Sequence, residues 1–174
     1  SETIPVKACT AEEYQDTPDV VLVCVKGYSL DSVVAFIQRV AGPETVVLPI
    51  LNIYGTGGKM QEMLPEVDVL DGCTYLYAEI QKPGTILQSG PYCRIVFGPR
   101  DHNLDDPRYQ QIKRDFDASG IVGELTAHIQ RDALQKFSYV SPVGATGLYY
   151  NAVAADMQKD GEARDCFIAM VREI

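Results

Sequence analysis

An α/β layer followed by a helical segment is the fold class that this sequence predicts, and three observations carry it. Asp19-Val-Val-Leu-Val-Cys-Val25 and Thr45-Val-Val-Leu-Pro-Ile50 are short, valine-rich runs bounded by polar residues, the pattern of strands buried on both faces of a parallel sheet. Between them Leu30, Val33, Val34 and Ile37 recur at helical spacing, with Ser29 offering an N-cap and Gly42-Pro43 the stop. From about Ala127 onward, β-like runs give way to helical periodicity. Strand, helix, strand and a short helix over Lys59–Leu64, stopped by Pro65, point to crossover units with both sheet faces covered.

The remaining elements follow in order. Val6–Cys9 reads as a short strand ahead of the first strong one. Val67–Leu70, Tyr75–Ile80, Thr85–Gln88 and Cys93–Phe97 are short β-like pieces separated by Asp71-Gly72, Lys82-Pro83-Gly84 and Ser89-Gly90-Pro91. Lys82-Pro-Gly-Thr85 is a turn, with proline where φ is fixed and glycine where a positive φ is needed. This part of the sheet is therefore expected to be antiparallel or mixed. Arg108–Ala118 reads as a helix and Ile121–Leu125 as the last strand. Beyond it, Ile129, Ala133, Leu134 and Phe137 form one apolar stripe, a second helix is expected after Pro142, and Glu162–Ile174 reads as a third. The expected division is residues 1–126 for the α/β part and 127–174 for the helical part.

Composition narrows the function classes. A chain of 174 residues, 46% apolar and 22% charged with no low-complexity tract, is an ordinary globular polypeptide. A formal charge of -9 argues against non-specific nucleic-acid binding. The longest apolar run is far short of the roughly 20 residues that span a membrane, and no secretory signal is visible. Five scattered cysteines without a CxxC pair, and only two histidines, give no support to a metal site and favour a reducing, cytoplasmic compartment. His102 and His128 lie too far apart in the outline to suggest a pair.

Three residues stand where chemistry could occur. Lys26 lies at the carboxyl end of the first strong strand, the edge that lines the ligand crevice in open parallel sheets, although a solvated loop lysine fits the same position. Asn52 is its counterpart after the next strand; its amide suits a ribose hydroxyl or a substrate carbonyl, or merely a turn. The adjoining Tyr54-Gly-Thr-Gly-Gly58 is only loosely like a phosphate-cradling loop. Lys136 sits just past the α/β-to-helical junction, beside Phe137. It either snorkels past the core edge or, half-buried with a lowered pKa, donates a proton to a developing alkoxide. Tyr139, Ser141 and Asn151 could add neutral hydrogen bonds. No GxSxG elbow supports a serine hydrolase, and Gly144-Ala-Thr-Gly147 reads as a close helix contact.

Taken together, Asp19–Lys26, Pro49-Ile-Leu-Asn52, Asp71-Gly-Cys-Thr74, Lys82-Pro-Gly-Thr-Ile86, Val96-Phe-Gly98 and the segment from Lys136 to Pro142 resemble the ketopantoate reductase (2-dehydropantoate 2-reductase) family. The resemblance implies a Rossmann-like NADP-binding domain and a helical substrate-binding and dimerisation domain. It implies NADPH-dependent reduction of ketopantoate to pantoate, on the route to coenzyme A. Lys136 then matches the general acid, and Lys26 and Asn52 match residues near the nicotinamide and the substrate. Thr74 approaches the cofactor, and Ser141 is a candidate substrate contact. The departures are Ile53-Tyr54 after Asn52, and Val140 and Gly144 where the family often places asparagines; they leave a different 2-oxo acid open. A non-catalytic binding or structural role is the other alternative.

No glycine-rich dinucleotide fingerprint is present, and the last helical stretch has no C-cap. The expectation drawn from this is a truncated chain: a partial Rossmann-like domain followed by an incomplete all-helical one. Such a chain would bind NADPH weakly or not at all and would self-associate through an exposed sheet edge.

Overall fold

The computed structural model describes residues 3–174; Ser1 and Glu2 lie outside the described residues. A parallel sheet of order β1-β2-β3 is built from β1 (Val20–Val23), β2 (Val46–Pro49) and β3 (Asp68–Val69). It is connected through α1 (Leu30–Val40), entered by a 3-10 turn at Gly27–Ser29, and α2 (Thr56–Met63). Register runs Val20↔Val46 and Val47↔Val69. A second sheet has the order β4-β5-β6: β4 (Asp71–Lys82) is antiparallel to β5 (Thr85–Gly98), and β6 (Val122–Leu125) returns parallel to β5 after α3 (Pro107–Ala118). Only Leu70 separates β3 from β4, so one strand passes from sheet to sheet.

β2 explains why both faces are covered. Val47 packs with Val34, Ile37 and Met60 under α1 and α2, whereas its neighbours Val46 and Leu48 pack with Phe97, Ile112 and Phe116 under α3. Alternate side chains thus serve two cores. Thr45 enters this strand fully buried, and its hydroxyl donates to the Pro18 carbonyl (2.6 Å) while accepting from the Gly42 amide (2.9 Å). No polar group is left unpaired there. Pro107 opens α3 at the position where its missing N–H costs nothing, and the Asp106 carboxylate accepts from the Arg108 amide (2.8 Å).

Several expectations change. Val6–Cys9 forms no strand. β1 is an end strand, and Val20 and Leu22 are 36% and 43% exposed, so it is not buried on both faces. In the middle, Tyr75–Ile80 lengthens into β4, and Thr85–Gln88 and Cys93–Phe97 join as β5. The ladder skips residues 89–92, however: Leu76 pairs with Cys93 and Ala78 with Gln88, so the expected break at Ser89-Gly90-Pro91 is a bulge with Gly90 at φ 80. The turn at Lys82–Thr85 is as expected, Gly84 taking φ 74. Two helices, not three, fill the last part. α4 (Ile129–Tyr150) continues through Pro142, whose ring is buried and whose packing compensates for the hydrogen bond it cannot donate. Asn151, at φ 51, ends it, and the chain returns over Gly147, where an added Cβ would stand 3.0 Å from the Ala152 carbonyl oxygen. Gly144 meets nothing within 4 Å, so only one end of Gly144–Gly147 is a close contact.

The description of a partial α/β domain and an incomplete helical one is corrected. A Rossmann-like α/β unit and a largely helical unit are both formed. α4 lies on β4 and β5 through Ile129, Cys73 and Val96, and α5 (Glu162–Arg172) packs along α4 around the fully buried Thr146, whose hydroxyl meets Cys166 Sγ at 3.9 Å. The helical periodicity therefore ends in a packed pair, not a bare stripe. No helix among the described residues is long and apolar enough to cross a membrane.

Candidate active site at the strand ends

Four segments converge at one end of the α/β unit. β1 and β2 end in Cys24–Gly27 and Ile50–Ile53, and buried Leu51 anchors the second so that Asn52 stands exposed beside it. β4 is drawn against the end of β2 at Gly72, where a Cβ would stand 2.6 Å from Leu48 Cδ1 and 3.1 Å from the Pro49 carbonyl oxygen. That close approach brings Cys73 and Thr74 up to Asn52. From above, α4 presents Ala133, Lys136, Phe137 and Val140, the i, i+3, i+4, i+7 face of a helix. Phe137 sets its height by resting on Tyr54, ring centroids 6.1 Å apart.

Lys136 reaches Asn52 across 84 residues of sequence, its Nζ donating to Asn52 Oδ1 at 2.6 Å. The same ammonium lies 5.6 Å from the centre of the Tyr75 ring. Burial holds the Lys136 pKa below the ordinary 10.5, with Cys73 opposing. Burial also pushes the Cys73 thiol up, which keeps it neutral beside the lysine. Lys136 thus combines a lowered pKa, an amide acceptor and an aromatic face, an arrangement chemically able to hold and release a proton.

The space around this pair divides in three. A small recess behind Lys136 is lined by Leu51, Asn52, Tyr54, Cys73 and Phe137. In front is an open cleft of about 730 Å³ between β4, β5 and α4, lined by Asn52, Thr74, Tyr75, Tyr77, Arg94 and Tyr139 among others. A third, of about 460 Å³, lies outside the carboxyl ends of β1 and β2 and includes Lys26, Gly27, Asn52 and Thr74. Asn52 borders all three, and Thr74 the two larger ones.

Of the residues selected from sequence, Lys136 and Asn52 are thus bonded, and Thr74 and Lys26 share the adjoining crevice. Ser141 is half-buried and borders none of these three spaces; five residues on from Lys136, it lies about 140° around α4. Cys73, Tyr75 and Arg94 were not selected. The Tyr75↔Arg94 pairing depends on strand register, and Tyr75-Leu-Tyr77 shows no apolar–polar alternation from which a facing partner could be read.

The glycine cluster has a different explanation from a phosphate cradle. The Gly57 amide, at the start of α2, donates to Asp71 Oδ1 (2.8 Å), and a Cβ at Gly57 would stand 2.2 Å from that oxygen and 2.3 Å from the Leu70 carbonyl oxygen. The carboxylate of Asp71 already occupies the helix N-terminus, with Arg100 at 3.6 Å on its other oxygen. The two histidines, in turn, are neighbours: their ring centroids are 6.2 Å apart, and His102 Nδ1 lies 2.5 Å from the Ala127 carbonyl oxygen. They tie the loop after β5 to the start of α4.

Residues 1–102 match the family model described as ketopantoate reductase PanE/ApbA. This chain belongs to that family. The 2-dehydropantoate 2-reductase of Aquifex aeolicus (strain VF5) is 23% identical over 172 residues, 98% of this chain and 56% of the relative. The crystal structure of 2-dehydropantoate 2-reductase from Porphyromonas gingivalis W83 superposes with a TM-score of 0.81 at 24% identity, covering 94% of this chain and 55% of that one. A structure of D-mandelate dehydrogenase with NADH has a TM-score of 0.74 at 19% identity, covering 89% and 50%. At these identities the superpositions carry the fold alone. Family relatives that align along 98% and 94% of this chain, on two formed units, correct the reading of a truncated domain. The chain spans about half the length of the curated relatives it matches.

Proposed function

We propose that this ketopantoate reductase family chain serves NADPH-dependent reduction of a 2-oxo acid, ketopantoate to pantoate, with Lys136 as the proton donor. The observation that carries the reading is the Lys136–Asn52 hydrogen bond at the wall shared by the two larger clefts. Hydride chemistry would come from the nicotinamide when bound. The residues present fit that end of the cofactor. The crevice outside β1 and β2 is floored by Ile50 and Ile95 and has Lys26 at its mouth for negative charge, and Asn52 and Thr74 supply neutral hydrogen-bonding groups at the boundary with the substrate cleft. In the substrate cleft the ketone oxygen sits at Lys136 Nζ, taking the place of Asn52 Oδ1 or sharing the ammonium with it. Transfer of the Nζ proton to the developing alkoxide leaves a neutral lysine, a form that its half-buried position favours.

A second reading is a reductase of a bulkier 2-oxo acid. Tyr75, Tyr77, Tyr139 and Val140 line the cleft in front of Lys136, and D-mandelate dehydrogenase is among the structural relatives. Loss of NADPH absorbance in the presence of each acid tests both readings. Lys136→Ala is expected to lower turnover by about 10²–10⁴-fold while leaving acid binding measurable. Unaltered turnover in that variant would remove Lys136 from the chemistry. A higher kcat/KM for phenylpyruvate than for ketopantoate selects the second reading.

A further inference from the structure

We infer that Arg94 is the carboxylate-binding residue of this cleft, so that a 2-oxo acid spans from Arg94 to Lys136 with its side chain against the tyrosine wall. The inference rests on the 2-oxo acid reading above and adds to it the group that recognises the acid. Arg94 stands on β5 directly opposite Tyr75 on β4, and its guanidinium carbon lies 4.6 Å from the centre of the Tyr75 ring. Tyr75 is the ring that Lys136 also approaches, at 5.6 Å. One aromatic side chain therefore holds two cations in the same cleft, in a protein whose formal charge is -9.

The position of the guanidinium is held by a second partner. Glu124, on the neighbouring strand β6, meets Nε at 3.3 Å. The ion pair and the aromatic face together hold the guanidinium beside the cleft that Arg94 lines, where its side chain is 44% exposed and its N–H groups are within reach of a ligand. A planar guanidinium matches a carboxylate in bidentate fashion, which an ammonium does not. Lys136 is already committed to Asn52 and, in the reaction, to the ketone oxygen. Leu76, Tyr77, Tyr139 and Val140 line the cleft along with the polar Thr74 and Gln135, and the first four give an apolar surface that suits the side chain of an aromatic or branched 2-oxo acid.

Calorimetric titration of the chain with phenylpyruvate and with its uncharged methyl ester tests this. Arg94→Gln is expected to weaken binding of the acid at least about tenfold and to leave the ester unchanged. Arg94→Lys restores part of the loss, and Glu124→Gln weakens the acid less than Arg94→Gln does. Acid affinity that survives Arg94→Gln overturns the proposal, as does an equal loss for acid and ester, which would mean that Arg94 only braces the sheet. No acid binding by the unaltered chain also overturns it. The reductase reading fails separately: acid binding that depends on Arg94, without NADPH oxidation, leaves the anchor standing and removes the activity. Turnover with an unchanged KM in Arg94→Gln does the reverse.

Discussion

The two halves of the β4–β5 ribbon share one antiparallel ladder but differ in everything that lies on it. From Asp71↔Gly98 to Tyr75↔Arg94 the pair is sandwiched between α3 and the parallel sheet on one face and α4 on the other, and Val96 and Phe97 are fully buried. From Leu76 outward the ladder continues to Lys82↔Thr85, yet Ile80 and Ile86 are 78% and 71% exposed. Backbone pairing is available to both halves; burial is available to one. The candidate site stands at the frontier. Tyr75 and Arg94 are the pair where cover from α4 runs out, so an apolar ring and two cations meet at the edge of a dry interior. Burial raises the Tyr75 pKa, which keeps its ring a neutral partner for both.

The largest expected difference between the halves is thermodynamic. Phe97→Ala removes a side chain packed edge-on against Phe116, ring centroids 5.6 Å apart, and is expected to cost about 3–5 kcal/mol in chemical denaturation. A loss below about 1 kcal/mol would mean that the inner half is no better packed than the outer.

A smaller effect belongs to the frontier itself. Below the lowered pKa of Lys136 both the folded and unfolded states hold its proton, and the folded state bears the full cost of a desolvated charge. Between that value and the ordinary 10.5 the unfolded state binds more protons, so this group makes stability rise with pH. Cys73 acts in the opposite sense above its ordinary 9.0, because its pKa is raised on folding. Stability profiles of the unaltered chain and Lys136→Met should therefore diverge, the unaltered chain gaining relative to the variant as pH rises toward 10.5. Parallel profiles would place Lys136 in water. The smallest effect is expected at the outer half: Ile86→Ala should change stability by no more than about 0.5 kcal/mol, and a larger loss would reveal packing on the ribbon's far end.

The same contrast explains what the sequence disclosed. Helical spacing and valine-rich runs mark α1 and β2 because their side chains answer to a buried surface. The turn at Gly84 was legible because its positive φ is a local demand. Ser89-Gly90-Pro91 read as a break because local chemistry there opposes a strand, and the pairing does skip it: the register jumps from Leu76↔Cys93 to Ala78↔Gln88, so β5 crosses the segment as a bulge. Pro142, by contrast, misled, its local cost being outweighed by burial within α4. At the site, Lys26 and Asn52 stood out as polar residues at strand ends and Lys136 as a lysine just past the α/β-to-helical junction, whereas Thr74 came from the family resemblance alone. Arg94 and Cys73 did not, because each matters through a neighbour distant in sequence: Tyr75 for one, Lys136 for the other.

Leu70, the single residue between β3 and β4, has a mechanical consequence. It is fully buried, and its amide donates to the Val47 carbonyl at 2.9 Å before the chain turns to pair with β5. Asp71, next along, grips the start of α2 and faces Arg100. With no slack segment at this changeover, the wall carrying Asn52 and the wall carrying Tyr75 and Arg94 are one continuous surface. α4 closes the cleft from the other side and meets that wall at the Tyr54–Phe137 ring contact, so the width of the cleft is set by how one helix seats on one continuous wall.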